Sequence, residues 1–473
     1  MKNLNIKLLV FLVLLVVMSA CNKELNVYPT TSEVDGKVIV DQQSAFTVLN
    51  GIYYRFAAAT ADRNNVPALK WSDVNEALPS ALCGTLINES QAWNPSSFTP
   101  AKYGADYQWI YGYDIVNAAN GFLKNVAPVS TIPAATKKQM IAEATFLRAF
   151  GDTQLLLYYG QFYNVNSKYG IILRDQFVTS SNINLPRSTV GQCYAAILSD
   201  LDAAIPDLQA VNSHIYYANT SAAKLLKARV LINRGAAGDY AEVISLTKDI
   251  IANGPFALEP DTKDIFLSKG FSSSEVILGI QPYPSEAYKF NNNQYYFQYT
   301  GTRELDTLLQ NDPRNQWVYK LVNHFGSPTD QFTKYYSGDP TNVVQTPLSE
   351  YSYAFRLTEA YLLEAEAITL SGGDLASAKG LLNTVRDHAG FTLADHAAID
   401  NIATADELHV AIVKEYMKNF IGENGVDWFA LRRLPIDTIK TIQPLLKTAD
   451  RFLLPIPLAE ISQNRNMIQN PSY

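Results

Sequence analysis

Helical periodicity dominates the chain. The segments "QQSAFTVLNGIYYRFAAAT" (42–60), "YQWIYGYDIVNAANGFLKNV" (107–126) and "KKQMIAEATFLRAFGDTQLLLYYG" (137–160) repeat apolar residues at intervals of three and four, the spacing of one buried helical face. Further on, "SAAKLLKARVLINRGAAGDYAEVISLTKDIIANG" (221–254) reads as helix, Gly-rich turn, helix, close to the roughly 34 residues of a tetratricopeptide repeat. A second unit, "YAFRLTEAYLLEAEAITLSGGDLASAKGLLNTVRDHAG" (353–390), carries a turn, "LSGGDLASA", that echoes "RGAAGDYAEV" in the first. The recurrence predicts stacked helix pairs; the alternative is generic helical hairpins.

Between and around these helices run long irregular segments, at 60–102, 160–186, 254–349 and from 435 to the end. Loops of this length inside a compact domain usually carry function. In 254–349, "SEVILGIQPY" and "QYYFQYTG" read as short strands, so that stretch is expected to be an insertion into the helical scaffold. The predicted class is therefore mostly α: a tetratricopeptide-like helix-pair scaffold with long irregular loops and a few short strands.

The first 20 residues belong to a different category. Lys2 and Lys7 precede an unbroken apolar run from Leu8 to Met18, and Ser19 and Ala20 supply the small residues a signal peptidase accepts. The run is shorter than the about 20 residues a spanning helix needs. Cys21 follows at once, and "MSAC" resembles the bacterial lipobox, in which the Cys sulfur is lipidated and becomes the first mature residue; an ordinary signal with a chance cysteine is the alternative. Several acyl chains on Cys21 would anchor the chain stably, since each buried CH₂ adds about 0.8 kcal/mol.

Charge and motif content narrow the function further. Removing residues 1–20 deletes two lysines and no acid, so the formal net charge moves from −7 to −9, which argues against nucleic acid. His214, His324, His388, His396 and His409 lack the i, i+4 spacing of a zinc-binding helix, and no cofactor is expected. Cys83 and Cys193 are one disulfide's worth of thiols, and their spacing does not decide whether they meet. No nucleophile elbow or phosphate loop is visible, so no enzyme is expected, while a distant carboxylate pair among the 45 acids stays open. Glu359, Glu364 and Glu366 fall at helical spacing, where a solvated helix face explains them.

Five segments in order, "CNKELNVYPT", "AEATFLRAFGDTQLLLYYGQF", "RLTEAYLLEAEA" with "LLNTVRDHAG", "NGVDWFALRRL" and "RFLLPIPLAEISQNRNMIQNPSY", resemble the SusD/RagB family of Bacteroidota outer-membrane nutrient-binding lipoproteins. The chain departs from that family's pattern at Asp427 and Ala430, either side of Trp428 and Phe429, and at Arg465 and Ser472. The resemblance implies a lipoprotein signal peptide at 1–20 and a single SusD-like binding domain at 21–473, with the irregular insertion at about 254–349. It implies a surface-facing, outer-membrane protein, lipid-anchored at Cys21, that captures oligosaccharide for a SusC-like TonB-dependent transporter. A peptide-capturing RagB-like member and a tetratricopeptide protein-interaction scaffold are the alternatives.

Sugars present apolar C–H faces and outward hydroxyls, so their sites combine flat aromatic rings with amides or charged groups. Such residues are dense in two stretches, which the resemblance also marks as ligand regions: Trp71, Asp73, Asn75, Trp93 and Asn94, then Tyr283, Tyr288, Asn292, Tyr295 and Tyr296, followed by Trp317. Each has a packing alternative. Trp71 is as well explained by packing under its loop, Trp93 before Asn-Pro is the better platform, and strand alternation lets at most one of Tyr295 and Tyr296 face a ligand. Trp109 and Trp428 lie in helical patterns and are expected in the core.

Overall fold

The computed structural model describes residues 38–61, 67–69, 71–88, 93–102, 104–281, 299–324, 327–336 and 346–473. Its α-helices longer than one turn are α1 (Gln42–Phe56), α2 (Leu78–Cys83), α3 (Tyr107–Val126), α4 (Ala134–Tyr159), α5 (Val190–Ala204), α6 (Thr220–Arg234), α7 (Asp239–Asn253), α8 (Arg303–Leu308), α9 (Leu357–Leu370), α10 (Leu375–His388), α11 (Ala405–Asn419), α12 (Val426–Leu431), α13 (Ile436–Ile442) and α14 (Leu458–Gln463). The three N-terminal periodic segments form α1, α3 and α4, within a few residues of their expected limits.

Local chemistry sets these limits. Asp41 accepts from the Ser44 N–H at 2.8 Å while the Ser44 hydroxyl accepts from the Asp41 N–H at 3.0 Å, a reciprocal cap that starts α1. The helix then buries Ala45, Leu49, Ile52, Tyr53 and Phe56, one face at three- and four-residue steps. Helices α3 and α4 approach closely because Gly112 and Gly151 meet. A Cβ on Gly151 would lie 2.9 Å from the Gly112 carbonyl oxygen.

Both expected helix pairs form, and their echoing turns work alike. The α6–α7 turn uses Gly235 and Gly238 at φ 59° and 87°, and Arg234 forks onto Asp239 at its far side. In the α9–α10 turn Gly372 adopts φ 71° and Asp374 caps α10 by accepting from the N–H groups of Ala376 and Ser377. One boundary differs: Ser352–Arg356, the start of the second sequence unit, is a strand.

Helix α9 lies at the centre, packed against α6, α7, α10 and α11. This corrects the expectation of a solvated acidic face. Glu359, Glu364 and Glu366 are all buried, because neighbours cover every side of the helix. Glu359 accepts both prongs of the Arg229 guanidinium at 2.7 Å, and Glu366 accepts from Arg433 and pairs with His409. Burial by itself would raise Glu366, but Arg433 and His409 hold it down at about 2.

The strands pair antiparallel throughout. β1 (Ala59–Ala61) pairs β2 (Pro67–Leu69), and β3 (Leu86–Asn88), β5 (Tyr299–Gly301), β7 (Ser327–Phe332) and β6 (Tyr319–His324) lie in that spatial order. Both proposed strand segments of the insertion contribute, as β4 (Val276–Ile280) and as β5 at the end of "QYYFQYTG". β4 pairs with β8 (Ser352–Arg356), every residue of both being buried, and β8 runs straight into α9. An ionic knot locks this ribbon to the segment after α11. Arg356 bonds to Glu423 at 2.7 Å and to Glu275 at 2.6 Å, and Lys334 pairs with the same Glu423.

The irregular reading of 60–102 also needs revision. Residues 72–77 form a π-helical turn continuing into α2, and Gly84 at φ 82° ends it. Trp109 and Trp428 sit in the core as expected. Cys83 and Cys193 are both free and buried; burial pushes the Cys193 thiol up to about 12. No described helix is long and apolar enough to cross a membrane, and no described group of acidic, His and Cys side chains is arranged to hold a metal ion.

Candidate ligand-binding site

The first aromatic stretch folds inward. Trp71 is 0% exposed, edge-on to Phe56 and Tyr111 at ring-centroid distances of 5.6 and 6.2 Å, and offers no face to a ligand. Half-buried Asp73 accepts from the Tyr299 hydroxyl at 2.6 Å, and buried Asn75 accepts from the Gln108 amide at 3.4 Å. Glu76, one turn on, accepts from Ser352 at 2.6 Å. The π turn is thus a strut joining α3, β5 and β8, which requires its polar side chains for itself.

Trp93 is only 4% exposed, edge-on to Tyr107 at 6.0 Å, and its indole occupies the space a Cβ on Gly104 would need, 3.0 Å away. Asn94 beside it is half-buried and closes a local turn by accepting from the Ser96 N–H and hydroxyl. Trp317, 9% exposed, stacks on Phe266 at 5.9 Å. In the structure these three tryptophans and Asn75 are packed as buried residues. Trp93 and Trp317 lie outside the regular helices and strands, in segments with no periodic apolar face that bury themselves through isolated large rings. Tyr283, Tyr288, Asn292, Tyr295, Tyr296 and the lipidation candidate Cys21 lie outside the described residues.

An assembled aromatic cleft lies elsewhere. It is a cavity of about 260 Å³ between the C-terminal half of α1, the loop before α6 and the end of β4, walled by Tyr53, Phe56, Tyr216 and Tyr217 with Asn50 and Gln281 as polar members. Tyr216 and Tyr217 are half-buried, and their rings meet edge-on at 4.9 Å. The exposed His214 imidazole stacks on Tyr216 at 4.9 Å with planes 5° apart, and exposed Phe46 stands edge-on to Tyr217 at 6.1 Å.

The loop carrying these rings is anchored from beneath. The Ala218 N–H donates to the Tyr53 hydroxyl at 2.9 Å, which itself donates to Glu143 at 2.5 Å. Asn212 at the loop's start donates to the same carboxylate at 3.1 Å, and the Tyr217 hydroxyl donates to Asn50 Oδ1 at 2.8 Å. Burial lifts the Glu143 carboxyl above its usual range despite these donors and Gln139. Composition could have pointed here: "HIYY" is an aromatic cluster in a polar loop. Its partners come from α1, more than 150 residues earlier, so no local pattern joins them.

Stacked helix pairs joined by long irregular segments and a few short antiparallel strands define the fold class. Two family models match the chain: residues 28–232 fit the one described as "Starch-binding associating with outer membrane", and residues 283–444 fit the one described as "SusD family". The chain belongs to the SusD/RagB family. A SusD superfamily protein from Bacteroides thetaiotaomicron superposes with TM-score 0.72 at 20% identity, covering 91% of this chain and 100% of its own. NanU from B. fragilis gives 0.73 at 18%, covering 94% and 100%. A laminarin-binding SusD-like protein gives 0.70 at 18%, covering 92% and 100%. At these identities the likenesses establish the SusD-like fold. No curated protein matches the chain.

Proposed function

We propose that the chain captures oligosaccharide at the cell surface, unaltered, and passes it to a SusC-like TonB-dependent transporter. The observation that carries this reading is the match of residues 28–232 to a family described as starch-binding and associated with the outer membrane. In this reading residues 1–20 are cleaved, lipidated Cys21 tethers the chain to the outer membrane facing outward, and residues 21–473 act as one binding unit. The half-buried rings of Tyr216 and Tyr217 beside the Asn50 amide support a sugar ligand, since rings stack on C–H faces while amides bond hydroxyls.

The experiment is calorimetric titration of the mature chain against plant, host and microbial oligosaccharides, with product analysis of each mixture. Binding of a glycan that is recovered intact is the expected result. Cleavage would make the chain an enzyme, and binding of peptides alone would move it to peptide capture. Co-purification of a TonB-dependent transporter from the native membrane tests delivery separately.

A further inference from the structure

The cleft formed by Asn50, Tyr53, Phe56, Tyr216, Tyr217 and Gln281 uses none of the side chains that the sequence singled out. We propose that it is a binding subsite for one uncharged sugar ring of an oligosaccharide, an inference that rests on the glycan-capture reading above.

Four features carry it. First, exposed aromatic side chains scattered singly are ordinary, whereas here Phe46, Tyr217, Tyr216 and His214 form an unbroken run of ring contacts, each centroid within 6.1 Å of the next. Apolar ring faces at a wetted surface suit the C–H face of a pyranose. Second, hydrogen-bonding capacity remains beside the rings. Asn50 spends its Oδ1 on Tyr217, and neither its amide nitrogen nor the Tyr216 hydroxyl bonds to a described group. The pair offers donors, and a hydroxyl acceptor, to a sugar's hydroxyls.

Third, none of the described lining residues carries a charge. Among these residues a uronate or sialylated ring finds no counter-charge for the water it loses, whereas a neutral ring needs none. Fourth, about 260 Å³ lies below the roughly 300–1,000 Å³ of drug-sized sites, so the cleft has room for one ring and not for a chain segment. The Glu143, Tyr53 and Asn212 hydrogen bonds hold the loop in place before any ligand arrives, which lowers the ordering cost of binding.

The test uses the detergent-extracted full chain, titrated with maltohexaose, laminarihexaose, xylohexaose and mannohexaose, with hexagalacturonate as the charged probe and a proline-rich peptide as the other partner an aromatic cleft can take. The expected result is that at least one neutral hexasaccharide binds, that Tyr216→Ala weakens it more than tenfold with the melting temperature unchanged, and that Asn50→Ala weakens it severalfold. If Tyr216→Ala does not fold, Tyr216→Leu, which keeps the bulk and loses the ring, decides in its place.

Unchanged affinity in a folded Tyr216 variant overturns the cleft while leaving glycan capture intact. Preference for hexagalacturonate overturns the uncharged class alone. Binding of the peptide with no glycan bound by the wild-type chain overturns both readings, as does silence toward every saccharide.

Discussion

Trp93 shows how a single residue's surroundings decide its role. In the sequence it stands before Asn-Pro in a polar stretch, where an exposed platform and a buried wedge look the same. In the structure it fills the gap left by Gly104 and meets Tyr107. Trp93→Ala is accordingly expected to lower unfolding free energy by about 3–5 kcal/mol, read by chemical denaturation, because it empties a packed site. Intact stability with lost glycan affinity would restore the platform. Asp427, where the family pattern differs, is the other telling residue. Burial pushes its carboxyl up to about 7, although the Ser80 hydroxyl and the Trp428 N–H both donate to it. Its unfolded value is about 3.9. A raised acid favours the fold while protonated, so its contribution is fully present below about pH 4 and is lost as pH rises through about 7. Asp427→Asn, which keeps the shape and can donate to Ser80, should therefore gain stability relative to wild type as pH climbs from 5 to 8. A constant difference across that range would contradict the buried, neutral Asp427.

At the scale of elements, periodicity carried far. α1, α3, α4 and both helix pairs were legible because a one-sided apolar stripe at 3.6-residue spacing has few other uses. The acids of α9 were not legible, since Glu at that spacing suits a wetted face equally well and only the packing of α6 and α11 on either side excludes water. Glu359 and Arg229 are each about 1–2% exposed as side chains and form a bidentate pair. Removing one partner strands the other's charge, so Glu359→Gln should destabilise by roughly 3–5 kcal/mol, whereas Arg229→Met with Glu359→Leu should recover most of that loss. Urea denaturation of the single and double variants distinguishes the two; equal losses would mean the pair matters through packing alone. The π turn at 72–77 escaped notice for a related reason. Its polar side chains, Asp73, Asn75 and Glu76, look like loop chemistry until Tyr299, Gln108 and Ser352 supply their partners.

For the whole molecule, the lipid at Cys21 is the one expected attachment to the membrane. Cys21→Ala should shift the protein from the membrane fraction to the soluble one, as read by fractionation and immunoblot, and persistence in a salt-washed membrane pellet would require another anchor. The repeat turns, the apolar stripes and the ordered family segments lie along the chain as short-range patterns, which is why helix positions, scaffold class and family were readable before any fold was known. Which ring faces water, which acid meets an arginine and which loops share a cleft depend on residues far apart in the chain. Tyr217 meets Asn50 across 167 positions, and Glu359 meets Arg229 across 130. Local patterning encodes hydrogen-bonded elements and their buried stripes, but burial and charge pairing are properties of surfaces brought together. For this chain only the packing of α1 against the loop before α6, and of α9 among its neighbours, decided them.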